Sequence, residues 1–528
     1  MNIQAGYWLM LIWSQWWKRS PKGQRGRRRK YKLALYNYIY LKKVSLSACL
    51  FFCCLYLPLT LRANDIGWEF NQNEQQAYHF IISLQLDKAS PLLKTERPAS
   101  AYLNNLKESI RLIITENPEL ADDYEAHLDK RFDLIESNQE DTPYKNFYLA
   151  ELHLQRAFVN LKFDNEWSAA WDFRRAYKLI NENTILFPDF LPNYKSMGLL
   201  HVMIGSVPER YQWALGLLGL EGSVNQGLEE LMKMAESNHL FNMEARAIYH
   251  LLDAYLFNRS ELAVNNFKKI YEAQSGNKLF GYLYMSLLIK NAQSANALAV
   301  YAHLQTLDKD YMTFNFLHYM AGEIYLQKGE YNIAENHFIT FIENTRGRNF
   351  IKDAHYKLFL VYWLKGHKAK AIQAHKAAQS TGQAQVEADK HAERSLSQPQ
   401  FPNKLIMKIR LSTDGGFFEQ ALDLIMLKPT FNTKKEKVEF TYRKARLYHK
   451  TDNSEDAVQL YIETIDASAG ENWYFAPNAS LQLGYIFHQN EDFSRAKYYF
   501  SMVAAYKGHE YKASLDNKAK VALAAYEQ

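Results

Sequence analysis

The stretch AGEIYLQKGEYNIAENHFITF, Ala321 to Phe341, decides the fold of this chain. Ala321, Gly322 and Tyr325 share one face of a first helix. Gly329 ends that helix, because a residue without Cβ takes a left-handed cap at little cost. Tyr331 starts the return. Ala334, Phe338 and Phe341 then follow at spacings of four and three, the helical period. The stretch reads as helix, tight turn, helix. Small residues let the two helices approach, and rings fill the space between them.

The same small–aromatic pair recurs along the chain with some decay. It reads Ala169 and Phe173, Ala263 and Phe267, Ala297 and Tyr301, Ala334 and Phe338, Ala371 and His375, Ala421 and Ile425, Ala457 and Tyr461, Ala496 and Phe500. From Ala263 onward the intervals are 34, 37, 37, 50, 36 and 39 residues. A period near 34 marks a helical-hairpin array.

In this respect the chain resembles the tetratricopeptide (TPR) repeat superfamily, over residues 144 to about 507. The phrases YMAGEIYLQKGEYNIAENHF and LQLGYIFHQNEDFSRAKYYF carry the resemblance. It implies an all-α, TPR-type α-solenoid, a right-handed superhelix of helix hairpins whose concave face takes protein or peptide partners. With the leader described below, the chain is similar to exported bacterial TPR-repeat proteins. The stretch from Gly198 to Leu231 also looks like a divergent TPR subgroup that includes eukaryotic proteins of the outer mitochondrial membrane.

The pattern divides the body. Residues 64–142 form helices that match the repeat poorly and read as an N-terminal helical cap. Residues 143–378 are a first TPR-like array with an insertion at 206–226, apolar but punctuated by Pro208, Gly216, Gly219, Gly222 and Gly227. Two readings of that insertion stand: a packed plug between repeats, or an element that contacts lipid or a partner through Tyr211 and Trp213. Residues 379–402 stretch one interval to 50 and read as a connector, an extended helix or loop near a change in curvature. Residues 403–528 carry the C-terminal array and a capping helix.

Residues 1–63 hold twelve Lys or Arg and no Asp or Glu. Lys42-Lys43 precedes an uncharged apolar run from Val44 to Leu61, then Arg62-Ala63-Asn64. This is the pattern of a secretory signal peptide cut after Ala63, and an uncleaved anchor is the alternative. Both readings place the body on the exported, periplasmic side of a bacterial envelope. The remaining 51 basic and 57 acidic residues make the body mildly acidic, which argues against binding a nucleic-acid backbone. All three cysteines, Cys49, Cys53 and Cys54, lie in the leader, so the body has neither a disulfide framework nor a cysteine metal site.

No zinc-type His-Glu-x-x-His, Walker loop or Gly-x-Ser-x-Gly elbow occurs in the sequence. Neither catalytic residues nor a cofactor or metal is expected, and the chain reads as a noncatalytic scaffold. What remains is recognition on the first-helix faces: Tyr319 with Glu323, then Tyr442, Arg443, Arg446 and Lys450, then Tyr485 and His488. Arg443, Arg446 and Lys450 form a cationic strip suited to an acidic partner or a carboxylate.

Overall fold

The computed structural model describes residues 67–528 except 95, 208–214, 217, 257–259, 308, 428, 525, 527 and 528. The leader, Tyr211 and Trp213 therefore lie outside the described residues.

Among the described residues every regular element is helical. The N-terminal portion holds α1 (Gln72–Ile82), α2 (Leu86–Ala89), α3 (Pro98–Thr115) and α4 (Ala121–Glu136). Hairpins follow: α5 (Pro143–Lys162) with α6 (Glu166–Leu186), α7 (Pro192–Gly205) with α8 (Val224–Ala235), and α9 (Asn242–Leu256) with α10 (Ser260–Ala273). Next come α11 (Lys278–Lys290) with α12 (Ser294–Gln305), α13 (Phe316–Lys328) with α14 (Tyr331–Asn344), and α15 (Ile351–Lys365) with α16 (Lys368–Ser380). A lone α17 (Glu387–Leu396) precedes three more pairs: α18 (Lys404–Gly415) with α19 (Phe418–Ile425), α20 (Lys434–Lys450) with α21 (Ser454–Ala467), and α22 (Phe475–Gln489) with α23 (Phe493–Ala505). Helix α24 (Lys512–Ala524) ends the array. Partners within each pair pack on each other and on the next pair, so the chain is a TPR-type α-solenoid.

The turns explain why one hairpin predicted the others. Asp164, Ala292, Gly329, Gly366, Gly416, Asp452 and Glu491 all stand at left-handed φ between the two helices of a pair. After each, the next N–H donates to the carbonyl five residues back along the turn, from Asn165 to Asn160, Glu330 to Tyr325 and Asp492 to Phe487 among them, at 2.8–2.9 Å in these three. This is the Schellman closure of a helix C-terminus. Five residues beyond each left-handed station sits the small residue of the stripe. Ala169, Ala297, Ala334, Ala371, Ala421, Ala457 and Ala496 are all fully buried. Glycine occupies the station in only three of these turns, so the conformation belongs to the turn rather than to the glycine.

The stripe packs as its spacing predicts. Phe267, Phe338, Tyr461 and Phe500 are buried with their alanines. A Cβ on Gly322 would come within 2.9 Å of the Phe338 ring, and one on Gly484 within 2.5 Å of Phe500. Gly227, read from sequence as loop punctuation, instead lies inside α8. A Cβ there would meet the Gly198 carbonyl at 2.4 Å, so this glycine pair lets α7 and α8 approach closely. The described part of the insertion buries Val207, Leu215 and Leu220. Arg174 of α6 holds it by donating to the Leu218 carbonyl at 3.0 Å.

Two departures from a simple stack shape the molecule. Around the connector, α18 packs back on α13. A Cβ on Gly416 would sit 1.7 Å from the Ala292 carbonyl oxygen, so the α18–α19 turn presses directly on the α11–α12 turn. At the other end, the N-terminal helices reach past the first hairpin. Met312 N–H donates to the Leu84 carbonyl at 2.8 Å, and Lys88 pairs with Asp310 at 2.7 Å. Glu116 accepts from the Asn349 backbone and side chain at 3.2 and 2.9 Å.

Candidate functional site

The first helices carry a buried polar ladder. In the first half, Lys195 on α7 bridges Glu151 on α5 at 2.9 Å and Glu244 on α9 at 3.2 Å. Tyr78 donates to Glu244 at 2.9 Å. In the second half, Lys357 on α15 bridges Asp353 at 2.7 Å and Glu323 on α13 at 3.3 Å, and Tyr319 donates to Asp353 at 2.6 Å. Burial would neutralise such groups, so each ammonium is kept charged by its carboxylates. Burial pushes Glu323 up despite Lys357, and burial with the neighbouring Asp353 pushes Tyr319 well above the usual phenol value.

Beside the second ladder opens a cleft of about 230 Å³. One wall is α13 and α15, with Phe316, Met320, Leu326, Tyr356 and Leu360. The opposite wall is α18 and α20, with Arg410, Asp414, Tyr442, Arg443 and Arg446. Helix α17 closes one side through Glu387 and His391. Tyr511, Ser514, Leu515 and Lys518, from the start of α24, close another. The far walls touch: the Arg394 guanidinium lies 5.1 Å from the Tyr511 ring centroid, and His391 stacks on Tyr511 with centroids 6.4 Å apart. Asp389 anchors α17 by accepting from the Phe350 and Asp353 N–H groups at 2.8 and 2.9 Å, capping α15 from outside.

The cleft is electrically lopsided. On the α13–α15 side, carboxylates and ammonium are bridged within the ladder. On the α18–α20 side, Asp414 is shared by Arg410 at 3.7 Å and Arg446 at 3.5 Å. Burial works against the Asp414 carboxylate, yet Arg446 and Arg410 prevail and hold it below the ordinary value. Arg443 is more fully engaged, donating to Glu439 at 2.8 Å and to Tyr474 at 2.6 Å.

Of the residues singled out from sequence, Tyr319, Glu323, Tyr442, Arg443 and Arg446 all line this one cleft. Three of them are spoken for: Tyr319 and Glu323 serve the ladder, and Arg443 holds Glu439. Arg446 presents about a quarter of its side chain to solvent. Lys450 is exposed at the end of α20. Tyr485 and His488 lie elsewhere. Tyr485 packs edge-on against Phe500 at 5.3 Å, and His488 hydrogen-bonds the Tyr526 hydroxyl. Arg410, Asp414 and Lys518 escaped the sequence reading. Arg410 and Asp414 carried one signal, a charged pair four residues apart on a first helix. Lys518 carried none. Among the described residues no group of three His, Cys, Asp or Glu side chains is placed to hold a metal ion, and no helix is long and apolar enough to cross a membrane.

No family model matches the chain, and no curated protein matches it. Among solved structures it is similar to the apo form of the quorum sensor NprR from B. thuringiensis, with 14% identity over 77% of this chain and 98% of that one and a TM-score of 0.36. It is also similar to the human IFIT1 dimer with PPP-AAAA, with 12% identity over 88% of this chain and 95% of that one and a TM-score of 0.32. Likeness at this level carries nothing about ligands, and the fold rests on the hairpins themselves.

Proposed function

We propose that the chain is a noncatalytic scaffold that takes a protein or peptide partner into the cleft between α13, α15, α18, α20 and α24. The observation that supports this most is the cleft itself. It lies between the first helices α13, α15, α18 and α20 and is lined by tyrosines, aliphatic side chains and arginines, the residue types that anchor partners. Its closed far side suits a chain end or a protruding side chain better than a threaded segment. The leader pattern supports a place for this scaffold on the exported side of a bacterial envelope, and sequencing the mature N-terminus tests that part.

The partner reading is tested with the full chain on envelope extract, comparing the unaltered protein with Ser514→Trp. Ser514 is half-buried on the cleft wall, and an indole there fills the space. Capture lost in the variant, with helical content retained, is the expected result. Identical capture by both chains overturns it.

A further inference from the structure

The α13–α14 hairpin brings two histidines into contact. His318 Nδ1 on α13 lies 3.1 Å from His337 Nδ1 on α14. The Tyr301 hydroxyl of α12 lies 3.3 Å from the same His318 nitrogen. Both imidazoles are half-buried, and Tyr301 is buried. Tyr325 stacks on the His337 ring with centroids 5.4 Å apart, and Tyr301 meets that ring edge-on at 5.6 Å. Gly322, one turn beyond His318, sets how near the two helices come. A Cβ there would meet the Phe338 ring at 2.9 Å and the His337 Cβ at 3.2 Å. The pair is thus held in place by three helices, and none of these residues lines the cleft.

Hydrogen bonding uses these atoms poorly. A neutral imidazole Nδ1 offers one lone pair or one N–H, never both. His337 and Tyr301 therefore compete for a single lone pair, or a single hydrogen, on His318. Whichever prevails, the other is left short in a half-buried place, at a cost in stability. The spacing suits a different use. A divalent ion binds imidazole nitrogen at about 2.0–2.1 Å, so two nitrogens on one ion, at angles from a right angle to tetrahedral, stand about 2.9–3.4 Å apart. The observed 3.1 Å lies inside that range. An ion takes the lone pairs of both nitrogens at once and ends the competition.

We propose that His318 and His337 chelate one divalent transition-metal ion through their Nδ1 atoms. Water completes the coordination, and one such water donates to the Tyr301 hydroxyl. Two imidazoles suit zinc, copper or nickel, whereas magnesium and calcium demand oxygen ligands. Among the described residues no third His, Cys, Asp or Glu joins the pair in a metal-holding group, so the ion keeps positions open to water. The histidines stand 19 residues apart on two helices, a spacing that matches no sequence motif. The site lies outside the cleft and stands or falls apart from the partner reading.

The test is calorimetric titration of the full chain with Zn2+. The unaltered protein is expected to bind one ion more than His318→Gln or His337→Gln. His367→Gln, in the exposed α15–α16 turn, should bind as the unaltered chain does. The leader cysteines are common to every chain and cancel in the comparison. The same number of ions on all four chains overturns the site. Melts give a second readout, because an ion that binds only the folded state raises its melting temperature. Zn2+ should raise it more in the unaltered chain than in either single variant, and an equal rise overturns the proposal. Tyr301→Phe keeps both imidazoles and should still take the ion. Loss of the ion in this variant overturns the assignment of the two histidines as its only protein ligands. Mg2+ that displaces Zn2+ at equal concentration overturns the class of ion.

Discussion

Lys357 Nζ lies 2.7 Å from Asp353, one helical turn earlier on α15, and also reaches Glu323 on α13 at 3.3 Å. It is the second-half counterpart of Lys195, which joins α5 to α9 in the same manner. Each lysine fixes the register between neighbouring first helices. Lys357→Met would leave two buried carboxylates without their cation, so it is expected to cost about 3–5 kcal/mol. The shift of the urea midpoint measures this. A shift below about 1 kcal/mol, the level of an exposed pair, would show that the ladder does not hold the helices.

The non-glycine turn stations give a prediction of opposite sign. Glu491 stands at φ 61° between α22 and α23. An L residue pays roughly 1 kcal/mol for the left-handed region that glycine enters freely. Glu491→Gly should therefore stabilise the chain by about 0.5–1 kcal/mol, less the flexibility glycine adds to the unfolded state. Thermal melts of the single variant decide it.

Gly416 has no such latitude. A Cβ there meets the Ala292 backbone oxygen at 1.7 Å, and φ is +81°. Gly416→Ala must push α18–α19 away from α11–α12, at a cost of about 1–3 kcal/mol for the overlap. Because α18 is also a wall of the cleft, partner capture should fall together with stability. Retained stability in melts would mean that the contact relaxes without cost.

His449 sets a pH dependence. Burial, then Lys450 and Arg446, push its pKa down to about 4, against about 6.5 in an unfolded chain. Between those values the unfolded chain takes up a proton that the folded one refuses. Stability is thus lost as pH falls from about 6.5 towards 4. The melting temperature of the unaltered protein should fall relative to that of His449→Gln as pH drops from 7 to 5. A constant gap between the two would remove His449 from the account.

Lys290→Gln relieves like-charge crowding from Lys518 and Lys450. It should raise stability by about 0.5–1 kcal/mol, in the range of a partly screened charge pair. The gain should shrink as salt is added, because exposed charges are screened over about a Debye length. A melt in low and high salt reads both effects.

The fold was legible because its determinants are local. An alanine five residues beyond each turn and a ring four residues later need no distant information, so Ala334 with Phe338 found Ala457 with Tyr461 and Ala496 with Phe500. The turn stations were legible only where glycine stands, as at Gly329, since Asp164 and Glu491 adopt the same conformation without glycine to announce it. The cleft was legible in part. First-helix face counting placed Tyr319, Glu323, Tyr442, Arg443 and Arg446 on it, but could not show that Tyr319 and Glu323 are consumed by Lys357 and Asp353. Tyr485 and His488 have the same helical placement yet face neighbours of their own. Helices α17 and α24 stand outside the repeat, so nothing in the periodicity signalled that Asp389 would anchor one wall or that Lys518 would complete another.

The contribution of α24 to the cleft has a consequence in time. A chain growing from its N-terminus assembles α13 and α15 early, then α18 and α20, and each hairpin can dock on the one before it. Lys518 and Tyr511 arrive last. Until they do, the trough lacks the wall that encloses it, and the arginines of α18 and α20 face open water. An array still being synthesised, or one clipped ahead of Lys512, would therefore be folded over most of its length and yet lack the enclosed cleft, so that closure of the cleft reports synthesis through Lys518.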